Sequence, residues 1–399
     1  MLRCSCSELR DEDENTQKLV VSWLGHSIDF QLDGSASANS WLQKNIKSMR
    51  KLSLRISAAV APKVLQDAMK GGSNLTCLTI ISEHIEALPP LPPQLQQLVL
   101  EECEELRALP ALPRTLQILR CNCCHRLKSL PELPPSLAEL EAVSDLSMYD
   151  SLAQLPALPK GLTRLNISGC RALKELPVLP AALVHLDCSW CRLLGQLPQL
   201  AHTGIIKLEC SYCCWLEELP DMPYSLEHLR AVRLQRLTTL PKLPTDTLKT
   251  LNIRGTTISE LPGSLPRLEV LLCSLKPGLR LPALPSCKEL NVSESSQLQQ
   301  LPEQLPAGLI HLDCRWCSAL QRLPAHLPPT LEHLQLNGCK ALQQLPELPA
   351  SSKGLYVEGC SSLQQLPDLS NCQVAGHVSL KGCEALREIR VGGLTFSLQ

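Results

Sequence analysis

The sequence predicts an α/β solenoid that is mostly β, in which short repeats stack around one continuous leucine core. Three observations support this prediction. A unit of about 21 residues recurs about fifteen times between Leu75 and the C-terminus. Aromatic residues make up only 3 % of the chain, so leucine has to supply the bulk that aromatic side chains supply in other cores. Proline returns in nearly every unit and keeps half of it out of regular helix.

Each unit begins with a short predicted strand. The units that start at Leu183, Leu309 and Leu331 read LVHLDCSWCRLLGQLPQL, LIHLDCRWCSALQRLPAHLP and LEHLQLNGCKALQQLPELP, with the consensus LxxLxCxxCxxLxxLPxLPxx. The fourth and sixth positions are apolar with a period of two, as in a strand with one buried face. The second half, LxxLPxLP, should be extended or polyproline-like, because proline removes backbone donors. Neither half can bury its leucines alone, so the units should stack into a parallel sheet.

The cysteines raise the alternative of a zinc site. The stretch from Cys188 to Cys213 contains two C-x-x-C pairs at the spacing of a zinc ribbon. Other units, however, place Ile167, Ile253 and Val292 in the sixth position, and isoleucine cannot replace a metal ligand. A small buried apolar residue can be replaced in this way. We therefore predict no metal, and free thiols that fill the core of a protein in a reducing compartment.

The LPxLPxxLxxL pattern resembles the leucine-rich repeats, and in particular the short bacterial LPX subtype. That subtype is familiar from type III secreted effectors of the Yersinia outer protein M and Shigella invasion-plasmid-antigen kind. The resemblance covers about Leu75 to Ile389. It implies a horseshoe with a concave parallel sheet, extended or polyproline-like convex arms and a helical N-terminal cap.

The ninth position departs from the bacterial pattern. The family usually places Asn there, whereas this chain places Cys, as in LNISGCRALKELP from Leu165, which is similar to plant immune-receptor repeats. A thiol is a weaker donor than an amide. The cysteine column should therefore pack well and bond less firmly than an asparagine column.

Three segments are predicted: a disordered leader over residues 1–16, a helical cap with an atypical first repeat over 17–74, and the repeat solenoid over 75–399. Within the cap, Val20, Trp23, Leu24 and Ile28 have helical spacing, and a second helix holds Trp41, Leu42 and Ile46. The stretch from Met49 to Ser57 matches the opening of a repeat, and PKVLQDAMKGG predicts a helical outer arm.

At the other end, the last residues are apolar and no helical cap follows them. Three explanations stay open: this edge is paired in an oligomer, the last strand folds over the core, or the native chain is longer.

A protein-binding face is predicted from the outward positions of the repeat, namely the second, third, fifth, seventh and eighth. Exposed Trp, Tyr and Arg residues are typical anchors of protein interfaces, although aromatic residues also tolerate a bare sheet surface. The candidates are His185, Asp187, Trp190, Lys207, Glu209, Tyr212, His228, Arg230, His311, Asp313, Arg315, Trp316, His333, Gln335 and Tyr356.

Catalysis is not predicted. The pairs His185-x-Asp187 and His311-x-Asp313 place both side chains on one strand face, as acid–base or metal chemistry would require. The same column holds Gln97, Ile118 and Thr250 in other units, so these pairs follow from the repeat. No P-loop, nucleophile elbow or H-E-x-x-H motif occurs, and we expect no cofactor.

Net charge and hydropathy limit the classes of partner that the sequence favours. The formal net charge is −1, so no overall field attracts nucleic acid or anionic lipid. Proline interrupts every apolar run, which excludes a membrane helix, and the start lacks a Sec-type signal peptide. The resemblance implies a leader that directs the protein, by a signal-peptide-independent route, into the host cytoplasm, where it binds host proteins.

Two alternatives remain: a sensor or adaptor in the cytoplasm of its own cell, and the substrate-recognition part of a ubiquitin ligase. No C-x-D motif occurs and about ten residues follow the last repeat, which disfavours a ligase domain. The sequence identifies neither the partner nor the oligomeric state.

Overall fold

The computed structural model describes residues 3–4, 28–32, 40, 42, 44–56, 66, 74–144, 152–276, 281–374, 378–391 and 394–397. The chain divides into two compact units, Met1–Leu216 and Glu217–Gln399, and each is a stack of parallel repeats. None of the helices in the described part of the chain has the length and apolar character that crossing a membrane requires.

The first unit is one parallel sheet in which strands follow each other in chain order. Its strands are β1 (Arg3–Cys4), β2 (Ile28–Leu32), β3 (Lys51–Ile56), β4 (Cys77–Ile81), β5 (Gln97–Glu101), β6 (Ile118–Asn122), β7 (Glu139–Glu141), β8 (Arg164–Asn166), β9 (His185–Asp187) and β10 (Lys207–Glu209).

The second unit repeats this arrangement and then ends in a hairpin. Its parallel strands are β11 (His228–Arg230), β12 (Thr250–Ile253), β13 (Val270–Cys273), β14 (Glu289–Asn291), β15 (His311–Asp313), β16 (His333–Gln335) and β17 (Gly354–Tyr356). The antiparallel hairpin joins β18 (Glu388–Val391) to β19 (Leu394–Ser397). The backbone of the last strand therefore folds back on β18, which is compatible with one of the three open explanations. Side chains from residue 390 onward lie outside the described residues.

Register in both units is set by the fourth-position leucines. Leu186 pairs with Leu208, and Leu312 with Leu334, so each buried leucine lies beside its counterpart in the next repeat. Because side chains alternate along a strand, a slip by one residue would expose the whole column. The predicted leucine-based parallel solenoid is confirmed in each unit.

The second half of each repeat is extended, as the prolines predict. Neighbouring arms touch through isolated parallel bridges, such as Ala87 with Ala108 and Gln344 with Gln365. Serine or threonine just before the first leucine closes these arms. The hydroxyl of Thr330, for example, donates to the Leu309 carbonyl at 2.7 Å, and that of Ser351 to Leu331 at 2.8 Å. These bonds satisfy carbonyls that a proline-rich segment leaves without N–H donors.

The N-terminal cap agrees with the sequence in its second half. Residues 40, 42, 44 and 45 are helical, a 3₁₀ turn follows at Ile46–Ser48, and Leu42 and Ile46 are fully buried. The predicted repeat opening forms β3. Ile28, which was placed in a helix, instead begins β2, which pairs with β3 and extends the sheet by one strand. The rest of that helix, the leader except β1, and most of the predicted outer helix lie outside the described residues.

The cysteine column forms hydrogen bonds between successive repeats. Most ninth-position thiols donate to the carbonyl of the sixth residue of the preceding repeat, whereas Cys124 donates to the Asn122 carbonyl of its own repeat. The Sγ–O distance is 3.2 Å from Cys191 to Ile167, 3.1 Å from Cys213 to Cys188 and 3.1 Å from Cys339 to Cys314. Thiols are weak donors, so the prediction that this column bonds less firmly than an asparagine column stays a prediction.

Replacement of Leu186 by Ala should destabilise the first unit by about 2–5 kcal/mol, because the side chain is fully enclosed and leaves a cavity. Urea unfolding followed by circular dichroism measures the loss. Val178→Ala is the matched control, since Val178 is 79 % exposed in the same unit and should change the free energy of unfolding little. Equal losses in both variants would contradict the leucine core.

Candidate protein-binding surface

The turn after each strand presents the eighth residue of the repeat in an unusual conformation. The fifth position often holds Asn or Asp, whose Oδ1 accepts the backbone N–H two residues later. These bonds measure 2.9 Å from Ser189 to Asp187 and 3.0 Å from Ser293 to Asn291. Such Asx turns reverse the chain and leave the eighth residue left-handed, with positive φ.

In the described part of the chain, many eighth positions have positive φ, and we call these residues the turn column. They form two groups. Five are glycines, which adopt this conformation without strain: Gly169, Gly255, Gly338, Gly359 and Gly382. Seven carry side chains, with φ between 55° and 64°: Glu102, Cys123, Trp190, Tyr212, Arg233, Glu294 and Trp316. Left-handed backbone is uncommon for non-glycine residues and a genuine outlier for bulky ones. The three aromatic members all belong to the predicted binding face.

In the first unit, the turn column forms an aromatic stack. The rings of Trp190 and Tyr212 lie 3.9 Å apart with an interplanar angle of 6°. The Arg192 guanidinium lies over the Trp190 ring, 5.8 Å from its centroid. Since Tyr212 occupies one face of the indole, the arginine belongs to the other face. Both faces of Trp190 are thus covered within the chain.

The charged candidates of the first unit are largely engaged. Lys207 forms an ion pair with Glu209, and the Asp187 carboxylate holds the turn through Ser189. Burial raises the pKa of Asp187, and these hydrogen bonds oppose the rise. The pKa of His185 is lowered mainly by burial, and the charges of Arg164 and Lys207 lower it further. In the described part of this unit no hydrogen bond joins His185 to Asp187, whose Oδ1 accepts the Ser189 N–H instead.

In the second unit, Trp316 lies flat on glycine. A Cβ atom on Gly338 would come within 2.5 Å of the indole Cε3 atom, so only glycine fits below the ring. Trp316 is 59 % exposed. Its position corresponds to that of Trp190, but Ser318 stands where Arg192 covers the first unit's indole.

A second aromatic group lies on the strands beside it. The rings of His311 and His333 stack with centroids 4.8 Å apart and an angle of 3°. A Cβ on Gly354 would approach both His333 and the Tyr356 ring, so these two rings close over the glycine. Tyr356 is 47 % exposed. The second unit therefore gathers His311, His333, Tyr356 and Trp316 on adjacent repeats.

Asp313 is less exposed than the sequence predicts, at 8 %. Its Oδ1 accepts the N–H of Arg315, its Oδ2 accepts the Asn291 amide at 2.8 Å, and both oxygens accept from the Arg315 guanidinium. The hydrogen bond to Asp313 raises the pKa of Arg315. Asp313 therefore positions Arg315 and neutralises it. Gln335, which pairs with Asp313 in register, is half-buried.

The remaining candidates, His228 and Arg230, begin the second unit on β11. The His228 ring contacts the Thr250 hydroxyl at 3.1 Å. The second position of these repeats holds glutamate or lysine in most cases, and each lysine pairs with the glutamate of the repeat before it. The contacts are Lys249–Glu227 at 2.8 Å, Lys288–Glu269 at 3.0 Å and Lys353–Glu332 at 2.7 Å. Paired cations of this kind do not form the unbalanced basic strip that phosphate backbones require.

Sequence reasoning missed two exposed residues of the first unit, Leu193 and Trp215, in the eleventh position of neighbouring repeats. That column holds an ion pair, Arg126 with Glu105, earlier in the same unit. Comparison of the eleventh column across repeats would have shown the change from charged to apolar. Tyr224, in the second unit, is also exposed and lies on the proline arm.

The C-x-x-C cysteines make no approach to a metal geometry. Over the described residues, no three His, Cys, Asp or Glu side chains converge as a metal ion would need. Burial raises the pKa of the thiols, for instance to about 11 at Cys317 and about 12 at Cys273.

Comparison with known proteins points to one group of solved structures. YopM from Yersinia enterocolitica WA-314 is 25 % identical, with a TM-score of 0.51 over 86 % of this chain and 87 % of that one. The YopM leucine-rich effector protein from Yersinia pestis is 28 % identical, with a TM-score of 0.52 over 77 % and 86 %. No protein-family model and no curated protein sequence matches. The chain has a leucine-rich-repeat fold and is similar in structure to YopM.

Proposed function

We propose that the chain is a non-enzymatic, protein-binding scaffold, a bacterial effector that is delivered into host cells and binds host proteins there. The binding residues are the aromatic members of the turn column, with the histidines and Tyr356 beside them. The similarity to YopM, described as an effector, supports the class of function.

One observation carries the proposal: Trp190, Tyr212 and Trp316 occupy left-handed positions that glycine fills in five other repeats. Left-handed backbone costs a non-glycine residue about 1–2 kcal/mol. Folding does not explain this cost at Trp316, because most of its side chain stays in solvent. Strained positions of this kind cluster at functional sites, where the strain is retained for a reason other than stability.

The surface also has the chemistry of an interface. Tryptophan, tyrosine and arginine dominate interface hot spots, and they gain most where a partner removes water from a rigid ring. Trp316 is rigid because Gly338 supports it, and Trp190 is rigid because it stacks on Tyr212. Neither ring needs to reorganise before a partner arrives, which reduces the entropy cost of binding.

Affinity capture from host-cell lysate, quantified by mass spectrometry, tests the binding surface. We expect the Trp190→Gly/Trp316→Gly double variant to lose at least about tenfold of the specific capture, since each anchor contributes about 1–2 kcal/mol or more. Glu102→Gly is the matched control, because it makes the same backbone change at a non-aromatic member of the column. Equal capture by the double variant and the wild type would remove the case for this surface.

Delivery is tested separately. A reporter enzyme that is active only in host cytoplasm is fused to residues 1–50 and expressed in bacteria with and without a working type III secretion apparatus. We expect reporter activity only when the apparatus works. Activity that is independent of the apparatus, or absent in both strains, would favour a cytoplasmic sensor or adaptor.

A further inference from the structure

We propose that the open face of the Trp316 indole receives an arginine side chain of the partner protein, with the Glu294 carboxylate as its counter-charge. This proposal rests on the proposed function and names the chemistry that the second unit recognises. The partner is a protein segment that presents an arginine.

The first unit contains an internal precedent for this contact. There, the turn-column tryptophan stacks on its neighbour with one face, and Arg192, two residues later in the chain, covers the other face. Guanidinium groups favour tryptophan faces, because the ring quadrupole attracts the cation and the two planes stack.

The second unit has the same platform without the arginine. Trp316 stands in the equivalent turn position with nearly the same φ, 62° against 64°. Its lower face rests on Gly338, but the residue two places later is Ser318, which is too short to reach over the ring. The side chain that covers this face in the first unit therefore has no counterpart at Ser318, and Trp316 is 59 % exposed.

The nearest cation of the same turn does not fill the space. The Arg315 guanidinium donates to both carboxylate oxygens of Asp313, at 3.0, 3.1 and 2.8 Å. Asp313 is buried and also receives the Asn291 amide, so this network is held in place. Arg315 is thereby kept on the strand side of the turn.

The charge beside the platform suits a cation. Glu294 is the turn-column residue of the preceding repeat, and its N–H donates to the Arg315 carbonyl at 2.8 Å, which places it next to Trp316. Its carboxylate is well exposed and contacts the exposed Arg233 at a long distance, 3.5 Å. Exposed pairs of this kind contribute little, so an incoming arginine can take over the carboxylate.

The test uses the whole protein and two fluorescent nonapeptides of glycine and serine that differ only at the centre. One carries arginine, and the other carries citrulline, which keeps the shape and loses the charge. Fluorescence anisotropy at low salt measures binding. We expect the arginine peptide to bind at least about fivefold more tightly, a ratio within the range of cation–π contacts that have a nearby carboxylate. Equal binding of the two peptides would overturn the proposal.

Three variants locate the site. Trp316→Gly should abolish the preference for arginine, and Glu294→Gln should reduce it. Ser318→Arg should also abolish it, because the new arginine would cover the indole as Arg192 covers Trp190, while the fold keeps its tryptophan. Glu102→Gly, in the first unit, should leave the preference unchanged.

A preference for arginine that survives both Trp316→Gly and Ser318→Arg would place the contact elsewhere and refute the assignment. If the two peptides bind alike but Trp316→Gly still loses host-protein capture, the arginine proposal fails and the scaffold function stands.

Discussion

Raising the pH from about 8.5 to 10 should strongly destabilise the protein, because the folded chain keeps its thiols protonated and the unfolded chain does not. Burial raises the pKa of Cys287 and Cys317 to about 11 and that of Cys273 to about 12. Burial likewise raises the pKa of Cys191, Cys210 and Cys314 well above the ordinary value. An unfolded cysteine titrates near 8.5.

The direction of this pH effect on stability follows from the number of protons that each state binds. Below about pH 8.5 both states hold the thiol protons, and stability does not depend on these groups. Above it, the unfolded state releases protons that the folded state retains, so the free energy of unfolding falls. Each fully buried thiol contributes a decrease of about 1.4 kcal/mol per pH unit until its folded pKa is reached. Several such thiols together approach the about 5–15 kcal/mol that stabilises a typical domain.

Urea unfolding at pH 7.5, 9 and 10, under reductant, measures the effect. Cys273→Val is the control variant, because valine stands in the same sixth position at Val292. Above pH 8.5, we expect the free energy of unfolding of this variant to fall by about 1.4 kcal/mol less per pH unit than that of the wild type. Identical pH dependence in the two proteins would mean that this thiol titrates normally and is not enclosed.

The second large effect concerns Gly169. Replacement by Ala should destabilise the first unit by about 2–4 kcal/mol, from left-handed backbone at φ 81° and from overlap of the new Cβ with the carbonyl of Ser144. Backbone cannot move aside as a flexible side chain can. Trp190 adopts the same conformation, so the contact with Ser144 accounts for the larger cost at this glycine.

Gly195→Ala is the matched control for Gly169→Ala. Gly195 lies in the same unit, and a Cβ there would meet nothing within 4 Å. Thermal unfolding should separate the two variants by several degrees. If Gly169→Ala were as stable as Gly195→Ala, the close approach of neighbouring repeats at this turn would be refuted.

The repeat made most of the fold predictable. A column occupied by Leu186 in one unit and its counterpart in the next specifies burial, register and strand direction together, because stacked repeats share one environment. The exchange of cysteine with isoleucine in the sixth column likewise identified the thiols as core residues. The cap was less predictable, since Ile28 has helical spacing with its neighbours but pairs in the sheet. Outside the repeat, spacing alone did not distinguish a helix from a strand.

The positions of the candidate binding residues were predictable by column, but their backbone conformation was not. The sequence placed Trp190, Tyr212 and Trp316 on one surface, and the structure stacks the first two and rests the third on Gly338. The left-handed turn was overlooked, although glycine in the same column, as at Gly338 and Gly359, was the available signal. The burial of Asp313 depends on its bonds to Asn291 and Arg315, which no pattern in a single repeat reveals.

The proposed binding function depends on an exposed aromatic side chain that is retained although its backbone conformation is unfavourable. Trp316 offers the most direct measurement of this cost. Both Trp316→Gly and Trp316→Ala remove the ring, so their difference in stability isolates the backbone. We predict that the glycine variant is more stable than the alanine variant by about 1 kcal/mol in urea unfolding, and that both lose host-protein capture. An alanine variant as stable as the glycine variant, or capture that survives in both, would contradict the account.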